Sequence, residues 1–173
     1  MKVEEVTMAE LLRFYNDFQP SHYDLYIDIN RSKKTIVGKT TIVGEAKKTD
    51  IAIHQKYLNV KSVKENGKNA EFKVDDANDA ILIKLENAGK TELFIEYDAK
   101  LTDTMMGIYP SYYEVDGQKK QIIGTQFETN AARQAFPCVD EPEAKATFSL
   151  ALKYDEHEGE TTLSNMPEIK CED

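Results

Sequence analysis

Around residue 125 the chain reads Thr125-Gln126-Phe127-Glu128. If this is the end of a β-strand, successive side chains point to opposite faces, so Thr125 and Phe127 share one face while Gln126 and Glu128 project from the other. An amide and a carboxylate then point the same way. Such a pair can bind a peptide end, the carboxylate facing an ammonium group and the amide bonding the adjacent backbone. On spacing alone, a solvated Gln and Glu on an exposed strand face is the more ordinary reading.

No complete catalytic set accompanies them. Hydrolysis by zinc needs three side-chain ligands and an open position, commonly two histidines one helical turn apart with a glutamate between them as base. The 3 histidines, His22, His54 and His157, lie far apart, and none has a partner four residues on. His22 and His54 stand in strand-like contexts and His157 in an acidic loop, so each reads as a structural or surface histidine. There is no Gly-x-Ser-x-Gly elbow, no P-loop and no dinucleotide fingerprint. The 2 cysteines, Cys138 and Cys171, form no Cys-x-x-Cys pair and read as reduced thiols. Cys138 lies in an apolar, proline-flanked context without a neighbouring base, which favours a packed thiol over a nucleophile.

The elements that would position Gln126 and Glu128 are strands. Thr7-Met8-Ala9-Glu10 has the form of a capping box, and Leu11, Leu12, Tyr15 and Phe18 follow at helical spacing until Pro20, which predicts one short amphipathic helix. The period then changes to two, placing Tyr23, Leu25, Ile27 and Ile29 on one buried strand face. Further strands are predicted over Thr35 to Val43, Asp50 to His54, Leu58 to Lys64, Ala70 to Val74, Ile81 to Leu85 and Thr91 to Tyr97. Asn66-Gly67 and Asp116-Gly117 are tight-hairpin signals, the latter between Tyr112 to Val115 and Lys120 to Gln126. Asp155 to Glu160 is a charge run read as a solvated hairpin loop. The fold class expected is all-β, packed sheets in a sandwich with one short amino-terminal helix and a minor helical turn.

Size and charge narrow the class further. A chain of 173 residues is long enough for one domain that hides roughly 70% of its unfolded surface. Its composition, 40% hydrophobic and 31% charged, suits a globular protein with no membrane anchor. A net charge of -9, with lysines scattered among acids, argues against nucleic acid as a partner. Met1 is followed by Lys2, Glu4 and Glu5 and not by an apolar stretch, so no secretory signal is visible and the cytoplasm is the expected compartment.

The run from Thr125 to Phe148 carries a long and unusual residue order: Thr-Gln-x-Glu, then Ala132-Arg133-Gln134-Ala135-Phe136-Pro137-Cys138-Val139-Asp140-Glu141-Pro142, then Lys145-Ala146-Thr147-Phe148. It resembles the signature segment of the aminopeptidase N family. Pro20 to Leu25, Asp103 to Tyr109 and Leu163 to Pro167 also resemble its bacterial, lactic-acid-bacterial members. Together these segments cover nearly the whole chain.

The resemblance implies a saddle of β-sheets forming the amino-terminal domain, residues 1 to 173, of a larger zinc metallo-aminopeptidase. The zinc-bearing catalytic domain and a helical domain would follow in the parent chain. Glu128 then matches the glutamate that binds the free α-amino group of a peptide substrate, and Gln126 the glutamine lining the pocket for its first side chain. Zinc belongs to the parent, no metal is expected on this chain, and the chain alone is expected to be inactive. The expected partners are peptides with a free amino terminus and the catalytic domain of the same chain. Arg133, Asp140, Glu141 and Lys145 are expected to form an ion-pair network holding the Pro137 to Pro142 loop, with Phe136 and Phe148 in the core. Tyr109, Tyr112 and Tyr113 are an aromatic group that either packs on strands or contacts a neighbouring domain. The alternative from a different class is a stand-alone β-sandwich that binds a protein or peptide partner.

Overall fold

The computed structural model describes residues 13 to 155 and 157 to 172. Strands follow one another as β1 Phe18–Asn30, β2 Thr35–Ala46, β3 Asp50–His54, β4 Asn59–Glu65, β5 Lys68–Asn69, β6 Glu71–Asp75, β7 Ala80–Lys84, β8 Gly89–Lys100, β9 Gly107–Val115, β10 Gln118–Gln126 and β11 Thr147–Tyr154. They form a six-stranded sheet in the order β11-β1-β2-β8-β4-β5, a three-stranded sheet β3-β7-β6 and a two-stranded sheet β10-β9. The fold is all-β, with helical backbone among the described residues only in two single 3₁₀ turns, Phe14–Asn16 and Ala132–Gln134.

The predicted helix is corrected in its last part. Its start, Thr7 to Leu12, lies outside the described residues. Tyr15 sits in a 3₁₀ turn and Phe18 already opens β1. Pro20 is a strand residue, paired with Gly44 where the β1–β2 register shifts. Proline lacks the N–H that a regular ladder needs, and a bulge is where a strand tolerates that loss.

Alternation sets the core. Tyr23, Leu25, Ile27 and Ile29 of β1 are buried as expected, together with Ile36 and Ile42 of β2 and Leu93, Ile95 and Tyr97 of β8. Facing this sheet are Ile51 and Ile53 of β3 and Ile81 and Ile83 of β7, in the same cluster. Gly38 leaves room for the Tyr97 ring: a Cβ there would lie 2.1 Å from Tyr97 Cζ. The hairpin residues take left-handed backbone, with Asn66 at φ 48° and Gly67 at 82°, and Asp116 at 53° and Gly117 at 75°. Both pairs are the residue types such turns select.

β9 and β11 depart furthest from the strands expected of the sequence. β9 begins at Gly107, five residues before Tyr112, because Pro110 interrupts the propensity signal but is accommodated in a two-stranded ribbon with free edges. β11 carries the alternation Phe148, Leu150, Leu152, Tyr154 and runs parallel to β1, with Tyr23 beside Phe148 and Leu25 beside Leu150. Phe148 is therefore corrected from core to rim: it stacks on Tyr23 at 4.9 Å between ring centroids, yet is 56% exposed because β11 is the sheet's edge. The acidic run after β11 turns at His157 to Glu160, but no strand follows it among the described residues. Nor is it wholly solvated, since Glu160 accepts from the Arg31 guanidinium at 2.7 Å.

Candidate functional site

The β9–β10 hairpin carries Gln126 as its last ladder residue, paired with Gly107. The chain then leaves the strand. Phe127 turns inward against the core, with its ring edge-to-face to Phe136 at 5.8 Å, and residues 128 to 130 form an exposed turn. Ala131 N–H closes that turn on the Phe127 carbonyl at 2.9 Å, and the 3₁₀ turn Ala132–Gln134 follows. The peptide bond between Glu128 and Thr129 is cis.

Gln126 and Glu128 are both exposed. Two residues of chain keep their Cα atoms within about 7 Å of each other. Among the described residues neither the amide nor the carboxylate has a side-chain hydrogen bond or ion pair; nearby polar groups bond elsewhere, Gln121 to Tyr112 and Arg133 to Asp140. The strand alternation expected of the four residues holds for Gln126 and Phe127. Thr125 is exposed, although its ladder partner Ile108 is buried, and Glu128 lies in the turn beyond the strand.

What holds this turn in place is the segment after it, clamped between the two larger sheets. Tyr97 donates its hydroxyl to the Ala135 carbonyl at 2.9 Å, and Tyr23 accepts from Val139 N–H at 3.0 Å. His54 and Cys138 exchange backbone hydrogen bonds of 2.7 and 3.1 Å. Lys56 N–H donates to the Arg133 carbonyl at 2.8 Å. Burial pushes the Tyr23 and Tyr97 hydroxyls well above the usual phenol range, so both stay protonated.

The expected ion-pair network is realised in part. Arg133 Nε pairs with Asp140 at 2.9 Å, with both side chains only 12% and 11% exposed, and Arg133 also donates to the Asp140 carbonyl at 3.2 Å. Glu141 turns instead to Arg13 Nε at 3.3 Å and to Tyr15 N–H at 3.1 Å. Lys145 is exposed and joins no ion pair among the described residues. Cys138 is buried, and loss of water pushes its thiol well above the ordinary value, as befits a packed thiol.

The histidines do not fit a zinc site. His22 Nδ1 lies 2.7 Å from Thr147 Oγ1 at the β1–β11 seam. His54 is 6% exposed, stacks on Phe14 at 4.3 Å and accepts Asp140 N–H on Nδ1 at 3.1 Å. Burial first, and then Arg133, lower its pKa to about 4, so it is a neutral acceptor. Among the described residues no three His, Cys, Asp or Glu side chains come together as a metal would need. No helix among them is long and apolar enough to cross a membrane.

Residues 19–173 match the family described as Peptidase M1 N-terminal domain. The chain belongs to that family. It is 60% identical over 160 residues to Aminopeptidase N of Lactobacillus helveticus, which covers 92% of this chain and 19% of that protein. Against Aminopeptidase N of Lactococcus lactis subsp. lactis it is 54% identical over 162 residues, 93% of this chain and 19% of the relative. Endoplasmic reticulum aminopeptidase 1 of Mus musculus is 33% identical over 166 residues, covering 87% of this chain and 18% of that protein. This Peptidase M1 N-terminal domain thus spans about one fifth of the length of these curated relatives.

The sequence reading missed the tyrosine hydroxyls and His54 as the clamps that fix the turn. Their spacing to the segment runs from 38 to 116 residues, so only the tertiary structure brings them there.

Proposed function

We propose that this chain is the amino-terminal, non-catalytic domain of a cytoplasmic zinc aminopeptidase, and that it anchors the free α-amino group of the peptide through Glu128. The observation that carries this reading is an exposed carboxylate two residues from an exposed amide, both without a side-chain partner among the described residues, on a turn bolted to the core by Phe127 and by the segment Ala131 to Val139. A carboxylate held by a rigid frame can pair with an ammonium group without first giving up a protein partner.

Its contribution is positioning. Fixing the amine fixes the register of the first peptide bond and excludes internal peptide bonds, which offer no ammonium. Gln126, two residues earlier at the end of β10, would bond the backbone next to the amine or line the pocket of the first side chain. Among the described residues no group of side chains fits a metal, and zinc would be held by another part of the parent. No chemical step is assigned to this domain, and the isolated chain should be inactive.

The surface of β11 favours a domain of a larger protein over a stand-alone module. Phe148 and Leu150, 56% and 49% exposed, continue the core face of the six-stranded sheet beyond the buried Tyr23 and Leu25. An apolar sheet face that runs out to solvent suits a domain that packs against more of its own chain.

The test is kinetic. In the full-length protein, Glu128→Ala should lower kcat/KM for unblocked amino-acid anilides about 10- to 100-fold, the range of a charge-assisted hydrogen bond, with metal content unchanged. Unaltered efficiency would remove Glu128 from this role.

A further inference from the structure

Beside Gln126, the face of the hairpin is shaped by one aromatic ring. The β9–β10 register pairs Gln126 with Gly107 and Gly124 with Tyr109, and in an antiparallel ladder these four residues share one face. Tyr109 lies across the ladder from Gly124 and on the diagonal to Gln126, a separation of about 7 to 8 Å that an aromatic side chain spans. Its ring does lie over Gly124: a Cβ there would meet Tyr109 Cζ and the hydroxyl oxygen at 3.4 Å each. On this face the ladder neighbours of Gln126 are therefore Gly107, which is buried under Gln134, and Gly124, which lies under the Tyr109 ring.

The ring differs from the chain's structural tyrosines. Tyr23 and Tyr97 are buried and each is hydrogen-bonded to the clamped segment. Tyr109 is partly exposed, and its hydroxyl has no hydrogen-bond partner among the described residues. Packing over a cross-strand glycine covers the far end of the ring, and the residue stays partly exposed on the face it shares with Gln126.

We propose that Tyr109 is a specificity residue of this site, its ring forming the apolar wall against which the first side chain of a peptide rests when the amine is held at Glu128. The inference rests on the amine-anchoring reading above. A peptide whose ammonium lies at the turn and whose first side chain reaches back along the hairpin passes Gln126 and then meets Gly124 and Tyr109. The substrates favoured are peptides beginning with a large apolar or aromatic residue.

The experiment uses the full-length aminopeptidase and the anilides of alanine, leucine and phenylalanine. Tyr109→Ala should lower kcat/KM for the leucine and phenylalanine substrates about tenfold relative to the alanine substrate, chiefly through KM. Tyr109→Phe should keep the native preference, and Tyr109→Leu, which retains apolar bulk if the alanine variant folds poorly, should shift it from phenylalanine toward leucine. An equal loss on all three substrates, as expected of a ring that only supports the fold or a domain contact, overturns the proposal, and so does no change on any. Glu128→Ala assayed in parallel reports on the amine anchor separately, since its loss should be common to all three substrates.

Discussion

Asp140 donates its backbone N–H to Nδ1 of His54 at 3.1 Å, while the Asp140 carboxylate holds the Arg133 guanidinium at 2.9 Å. One residue thus ties strand β3 to both ends of the loop that follows the Glu128 turn, by a bond that requires His54 to be neutral. An imidazolium has no lone pair to accept with.

That requirement gives stability a pH dependence. The folded pKa of His54 is lowered to about 4, below the ordinary 6.5, so between these values the unfolded chain binds the extra proton. Stability contributed by the neutral imidazole is intact above about pH 6.5 and is lost as pH falls toward 4. Between pH 7 and pH 5 this amounts to about 2 kcal/mol. Urea unfolding at the two pH values should show that loss in the native chain and a smaller one in His54→Gln, whose side chain does not titrate; equal losses would remove His54 as the source.

The Arg133–Asp140 pair and Lys145 should respond oppositely to substitution. Removing one partner of a pair this sheltered strands the other charge, which costs about 3 kcal/mol or more. Arg133→Ala and Asp140→Ala should each lower the denaturant midpoint accordingly. Lys145→Ala, at an exposed position without an ion-pair partner among the described residues, should stay within about 0.5 kcal/mol of the native chain. A costly Lys145→Ala would restore the wider ion-pair network expected from the signature.

Exposed Phe148 and Leu150 make a third contrast. Phe148→Ser with Leu150→Ser should reduce self-association of the isolated domain, read by sedimentation at increasing concentration, since it removes an uncovered apolar strip. In the full-length protein the same pair should lower the melting temperature. Improved solubility together with unchanged melting of the full-length protein would show that nothing covers β11.

Much of the fold could be read directly because burial on one face of a strand writes itself into alternate residues. Tyr23 to Ile29 and the two Gly-containing hairpins are examples. The failures have local physical causes. Phe18 fits a helical spacing as well as a strand, and sheet pairing with Ala46 decides it. Pro110 masks the first half of β9. Phe148 has the residue type of a core position, but its strand is the last in the sheet, and no residue near it in sequence announces that. The candidate site shows the same division. Gln126 and Glu128 lie close in the chain and are named as candidates by the signature, whereas Tyr109 comes onto the same face as Gln126 only through the hairpin register.

The parallel seam between β1 and β11 joins His22 to Thr147, residues at nearly opposite ends of the chain. During synthesis, at about 5 to 20 residues per second, β1 emerges several seconds before its partner exists. One side of β1 thus stays an open edge until the clamped segment has been made, and contacts of such long range are slow to close. The residues that orient the Glu128 turn are synthesised just before the strand that seals the sheet, so a ribosome pause in this region would leave an unfinished edge exposed to other chains.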